Sequence, residues 1–452
     1  MLLLSMTSRL LIWGLVFSAV SFAQDVPVIK ANVRQVLVPV AVTGAKGRPV
    51  RDLKQSDFKV FEDGVTEEIA AFSATTDSSV APPEEVALGS AAGNLQPSRR
   101  SAADPARTYL LCVDTLHCSV PSLNRIRDAI TKVLRQEQGA DSQYALMTLG
   151  REVRVLRDST RDASAISAAA HSREFQKAFQ DSEAASTGIA KQQFTELMRS
   201  YCSVCPCYSN NGGRGTQCPS FEGRVQAALL SFDERMYGLN QSFLMKLKEL
   251  VTATATIPTA RTVVFISDGF NRFPGRELYS ILEGFAPKDR VFASHSRDTQ
   301  PELESILKLA TGYNVRFYTV DSRGIYSARF GAGSTFDAGT AFSTPVQMDS
   351  RNQPSESTPT SEAVDRGAVW VARENSDVMA ELAHETGGLF FQNSNDLGKG
   401  LSRAFADSRE FYLLAYVSKN EIWDGKYRKI TVAVNDKKLR VNAKAGYWAT
   451  EK

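Results

Sequence analysis

The chain has 452 residues, of which 43% are hydrophobic and 23% charged, and its Lys and Arg outnumber its Asp and Glu by 53 to 50 for a formal net charge of +3. Basic residues are scattered, with no run and no aromatic interleaving, which argues against a nucleic-acid or anionic-membrane partner. The length allows two or three domains.

The first residues read as an export signal. Met1 to Arg9 carries one positive charge, Leu10 to Val20 is a short apolar run, and Ser21-Phe22-Ala23 offers small residues for cleavage. The run is too short for a spanning helix, which needs roughly 20 residues. Residues 1–23 are therefore expected to be a signal peptide, and the rest of the chain to be periplasmic or secreted with no membrane span. Residues 26–75 read as β structure. Val33 to Val42 alternates like a half-buried strand, Lys59 to Glu62 runs into Asp63-Gly64, a tight-hairpin dipeptide, and Glu67 to Phe72 is the return strand. Residues 76–106 shift to Ser, Ala, Pro and Glu and are predicted to be a flexible linker.

From 107 to 406 strand and helix patterns alternate, which predicts an α/β fold with a doubly wound, mostly parallel sheet. Thr108 to Val113 is a buried strand, followed by a helix with Leu123, Ile126, Ile130, Val133 and Leu134 on one face. Tyr144 to Leu149 and Val153 to Leu156 are further strands, and a long helix is expected from about Arg224 to Leu250. Thr262 to Ile266 is the central strand and Val315 to Val320 its neighbour; Ser376 should cap a helix closed by Gly387-Gly388, before a last strand over Leu389 to Gln392. Two insertions, about 200–220 and 327–366, are expected to be loops. The tail from 407 to 450 is β again, and the two ends are expected to pair into one β-sandwich-like domain, since neither is large enough alone.

Ligands of such sheets bind outside the carboxyl ends of the strands. Asp114, Asp268 and Asp321 fall there, and carboxylates suit a hard cation such as Mg²⁺. Asp114 before a helix, and Ser267-Asp268-Gly269 after a hydrophobic strand, resemble the two ends of a von Willebrand factor A metal-ion-dependent adhesion site. The wider blocks are similar to the bacterial exported von Willebrand A-related family: VLVPVAVTGAKGRPVRDLKQSDFKVFEDGVTEEIAAF, RTVVFISDGF, FYTVDSRGI, LAHETGGLFF, FYLLAYV and the closing AGYW. The resemblance implies a Rossmann-like von Willebrand A fold and a non-enzymatic adhesion module that binds a protein. An intact site of that kind would hold Mg²⁺ or Mn²⁺ and take a partner's carboxylate as last ligand. This chain departs from the Asp-x-Ser-x-Ser pattern: Leu116 and Cys118 stand at the two serine positions, leaving Asp114, Asp268 and the out-of-register Ser119 as metal ligands. The third element, a threonine, is not placed by the sequence, and Thr187 is a guess. The other reading is that Asp114 and Asp268 bond nearby helix N-termini and no cofactor is held. A rim of Asp114, His117, Asp268 and Asp321 would then bind the partner directly.

Six cysteines remain. Cys112 reads as a core residue. Cys202, Cys205, Cys207 and Cys218 crowd together, and an oxidising compartment predicts two disulfides of open pairing stapling an exposed loop. The alternatives are a zinc site or a Cys202–Cys205 redox pair serving a thiol or metal enzyme, or a purely structural envelope component. No catalytic motif supports an enzyme: His384-Glu385 lacks a second histidine at zinc-protease spacing, and neither a nucleophile elbow nor a phosphate loop occurs.

Overall fold

The computed structural model describes residues 35–45, 47–75, 107–137, 142–205, 207, 218–257, 262–285, 297–325 and 361–450. The expected signal peptide, the linker and most of the 327–366 insertion lie outside the described residues.

In chain order the elements are β1 (Gln35–Thr43), β2 (Phe58–Glu62), β3 (Val65–Glu67), β4 (Ile69–Thr75), β5 (Arg107–Asp114), α1 (Val120–Gln136), β6 (Ser142–Leu149) and β7 (Val153–Thr160). Then follow α2 (Ala163–Ala170), α3 (Arg173–Ala178), α4 (Glu183–Val204), α5 (Cys218–Ala255), β8 (Thr262–Ser267), α6 (Arg276–Phe285), α7 (Gln300–Gly312) and β9 (Arg316–Asp321). The chain continues through α8 (Ser361–Thr386), β10 (Phe390–Phe391), α9 (Leu397–Arg409), β11 (Phe411–Val417), β12 (Tyr427–Val434), β13 (Arg440–Ala443) and β14 (Gly446–Trp448).

The central sheet has six strands in the order β10-β9-β8-β5-β6-β7, parallel throughout except for the antiparallel β6–β7 pair. Helices cover both faces because β5 is apolar on both, as a doubly covered strand must be. Tyr109, Leu111 and Val113 pack with α1, α2, α3 and α9, while Leu110 and Cys112 pack with α5, α7 and α8. This is a mixed α/β, Rossmann-like arrangement.

The ends of the chain form two four-stranded sheets, β13-β1-β11-β4 and β14-β12-β2-β3. β1 lies antiparallel between β11 and β13, so the first strand of the described residues has both neighbours from the carboxyl-terminal tail. Val36, Val38 and Val40 of one sheet share a core with Phe58, Val60 and Ile430 of the other. Alternating burial along β1 fits the period of a strand with one face inward.

Several local expectations are corrected. Ser376 caps nothing: α8 begins at Ser361, within the expected insertion, and the Ser376 hydroxyl donates back to Ala372 O at 3.1 Å inside the helix. Of the 200–220 insertion only the ends are helical, with Cys202 in the last turn of α4 and Cys218 opening α5, and residues 206 and 208–217 lie outside the described residues. α5 is longer than expected, with 38 residues. With α6, these two helices enclose a third core of Phe194, Met198, Tyr201, Val225, Leu229 and Phe285.

Candidate functional site

The strand order reverses direction about β5 and β8, which places the switch point of the sheet between the carboxyl ends of those two strands. Asp114 ends β5, Ser267 ends β8 with Asp268 next, and Asp321 ends β9. The chain leaves β5 through a turn instead of entering α1 directly, and Asp114 organises that turn. Its Oδ1 accepts from the backbone N–H of Leu116 and of His117, each at 3.0 Å. Its Oδ2 accepts from Ser267 Oγ at 2.6 Å and lies 2.9 Å from His117 Nδ1. The His117 ring is wedged edge-on against Phe243, 4.6 Å between centroids, with Phe270 at 5.5 Å.

Asp268 is equally engaged. Its Oδ2 accepts from the Ser119 backbone N–H at 2.8 Å, at the start of α1, where a helix end favours an anion. Ser122 Oγ donates at 2.7 Å to Oδ1, and Ser322 Oγ donates to the same oxygen at 2.6 Å. Arg125 in turn donates to Ser122 Oγ at 3.1 Å. The site is thus a closed hydrogen-bond network joining β5, β8, β9 and α1.

A bound Mg²⁺ or Mn²⁺ would need an octahedron of oxygens. All four carboxylate oxygens of Asp114 and Asp268 already accept from protein donors. Leu116 and Cys118, at the positions where hydroxyls would ligate, are driven into the two hydrophobic layers on opposite faces of the sheet. Ser119 is corrected as a ligand: it contributes its backbone N–H to Asp268, and its hydroxyl lies 3.0 Å from Ser122 Oγ. The residues present do not fit an octahedral cation. Among the described residues no cluster of three or more His, Cys, Asp or Glu could hold a metal ion.

Asp321 does not join this network. It is 2% exposed and pairs with Arg323, whose guanidinium reaches Oδ2 at 2.6 Å and also donates to Ser376 Oγ at 2.6 Å. Asp321 is therefore a clamp between β9 and α8, and its place on the open rim is corrected. Thr187 lies on α4, its hydroxyl 3.9 Å from Met236 Sδ, and the structure gives it no contact with the carboxylates.

Ser122 and Ser322 are site residues that the sequence does not single out, while Ser267 stands in the Ser267-Asp268-Gly269 motif. The signal for the first two is spacing: Ser122 stands three residues after Ser119 in the first turn of α1, and Ser322 follows Asp321 in sequence.

The cysteines pair as Cys202–Cys207 and Cys205–Cys218. All four are buried in the α4–α5–α6 core, which corrects the exposed staple, and Cys202 and Cys205 do not pair with each other. Cys118 Sγ lies 3.3 Å from Ser322 Oγ, and burial, with Asp268 and Asp114 adding to it, pushes this thiol well above its ordinary range. A thiol so held is a poor nucleophile. The Asp114–His117 pair has the form of a carboxylate orienting an imidazole. Among the described residues, however, no hydroxyl or thiol hydrogen-bonds His117 Nε2.

No family model matches the chain. No curated protein matches it either. Solved structures with some likeness include BatB from Bacteroides thetaiotaomicron, 10% identical over 66% of this chain and 97% of that one, with a TM-score of 0.29. An aerotolerance-related membrane protein from Bacteroides fragilis is 11% identical over 67% of this chain and 99% of its own, with a TM-score of 0.26. The pilus adhesin SpaC from Lactobacillus rhamnosus GG is 9% identical, covering 77% of this chain and 43% of its own, with a TM-score of 0.33. Scores this low carry no argument, and the fold rests on the strand order itself. Among the described residues no helix is long and apolar enough to cross a membrane.

Proposed function

We propose that this chain is an exported, non-enzymatic module of the von Willebrand A class that binds a protein partner through the rim around Asp268, without a cation. The observation that supports this reading most is the meeting of a closed polar network with bare apolar side chains. Val120, at the start of α1, is 60% exposed, and Ile325, just past Ser322, is 61% exposed. Both belong to segments tied to Asp268, through Ser119 and Ser322 respectively. Arg125 bridges them: it holds Ser122, and a side chain at Gly324 would stand 3.4 Å from its guanidinium. Apolar anchors beside an arginine over a rigid base suit a protein interface. The disulfides Cys202–Cys207 and Cys205–Cys218 fit an oxidising compartment, as does the apolar run at Leu10 to Val20.

Crosslinking capture from the native cell envelope tests this, using the wild-type chain and a Val120→Asp/Ile325→Asp variant, each with and without EDTA. The expected result is one stoichiometric protein, retained in EDTA and lost in the double variant. Capture that is lost in EDTA, with a saturable Mg²⁺ titration abolished by Asp268→Ala, would restore the cation. Capture unchanged in the double variant would move the interface away from the rim.

A further inference from the structure

A half-open groove of about 490 Å³ lies between the β2–β3 hairpin and the segment 419–422 that leaves β11, with a lining that shares no residue with the rim. Its lining is Glu62, Asp63, Glu67 and Glu421 with one cation, Lys419, besides Asn420 and the apolar Val65 and Ile422. The hairpin turns on Asp63 and Gly64, both at positive φ (48° and 84°), which lets β3 fold back and bring Glu67 beside Lys419. Glu67 is 5% exposed; its Oε1 accepts from the Lys419 backbone N–H at 3.3 Å, and its Oε2 has no hydrogen-bond partner among the described residues. Glu62, 3% exposed, takes only neutral donors: Tyr416 OH at 2.6 Å, Ser418 Oγ at 2.7 Å and Tyr447 OH at 3.1 Å. The neighbouring cations are turned elsewhere. The Lys419 ammonium donates to Thr66 O, and Arg428 pairs with Asp424 at 3.2 Å and Asp63 at 3.7 Å.

Two buried carboxylates thus share a groove with no ammonium or guanidinium bonded to either, and one oxygen is left without a donor. A buried charge in that condition is costly unless a counter-charge completes it. A bare Ca²⁺ would need six or more oxygens, and Glu62 has none to spare. One buried carboxylate oxygen without a donor, in a groove also lined by the exposed Val65 (54%) and Ile422 (65%), suits a cationic head on an aliphatic stem instead. We infer that this groove is a second binding site, one that accepts a lysine or arginine side chain of a partner protein. The head would bond Glu67 Oε2, and the stem would lie between Val65 and Ile422.

Calorimetry at low salt on the intact chain tests this with an acetylated, amidated tetralysine peptide, its Nζ-acetylated counterpart and CaCl₂. The expected result is saturable binding of the tetralysine peptide and none of the acetylated one. Affinity should fall about tenfold in Glu67→Gln, as for loss of a charge-assisted hydrogen bond, and similarly in Glu421→Lys, an exposed change that leaves the core alone. Glu410→Gln, outside the groove, and the Val120→Asp/Ile325→Asp rim variant should bind as wild type, so this result is independent of the rim. Absence of saturable peptide binding, equal affinities across the groove variants, or a saturable Ca²⁺ response that displaces the peptide would each overturn the inference.

Discussion

Lys444 lies where the carboxyl-terminal strands rest on the end of α8. Its side chain is 6% exposed, and its ammonium is 3.4 Å from Asn314 Oδ1. Burial lowers its pKa from 10.5 to about 8. With the folded value below the unfolded one, the unfolded chain holds more protons between those limits. The penalty is therefore full below about pH 8 and fades as pH rises toward 10.5. Lys444→Met keeps the aliphatic stem and removes the charge. It should stabilise the protein at neutral pH by roughly 3 kcal/mol, with the gain shrinking as pH rises toward 10.5. Urea unfolding of both proteins across that range measures it, and a gain independent of pH would show that burial of charge is not the cause.

At the scale of elements, the α4–α5 pair is the part of the α/β half that owes most to covalent links. Two disulfides lie where the helices meet, and Cys205–Cys218, which ties the end of α4 to the start of α5, spans 13 positions of sequence. Closing a loop of about that size is worth about 3 kcal/mol in the chain-entropy account. Their shared core with α6 is separate from the two layers against the sheet. Cys205→Ser/Cys218→Ser should therefore loosen α4 and the first half of α5 while β5 and β8 keep their protection. Hydrogen exchange resolves the two regions. Loss of protection in β8 to the same degree would mean that the helical layer and the sheet unfold as one unit.

At the scale of the molecule, the chain closes on itself. β1 and β2 bond strands from the far end, and Tyr427 OH donates to Glu385 at 2.5 Å across the seam with α8. Trp448 packs against the α5–α7–α8 layer. A chain ending at Arg409 would remove both neighbours of β1 and the β12 partner of β2. Amides of β1–β4 should then exchange as in an unfolded chain while β5 and β8 stay protected. Protection of β1 in the shortened chain would show that the amino-terminal strands stand alone.

The sequence by itself determined the strands of the α/β half and the helix α1, because apolar runs such as Thr262 to Ile266 and the face from Leu123 to Leu134 carry their periods openly. It also determined that Asp114 and Asp268 stand at strand ends, because each carboxylate directly follows such a run. The start of α8 was hidden, since it lies at the end of a stretch rich in Ser, Thr, Gly and Pro, about 327–366, that reads as a loop. Only the tertiary structure decided what the carboxylates do. Whether Asp268 faces a cation or Ser119, Ser122 and Ser322 depends on three segments converging from α1, β8 and β9. The same holds for the groove at Glu67, which exists only because residues about 350 positions away in sequence come against the β2–β3 hairpin, a proximity that no local pattern of residues encodes.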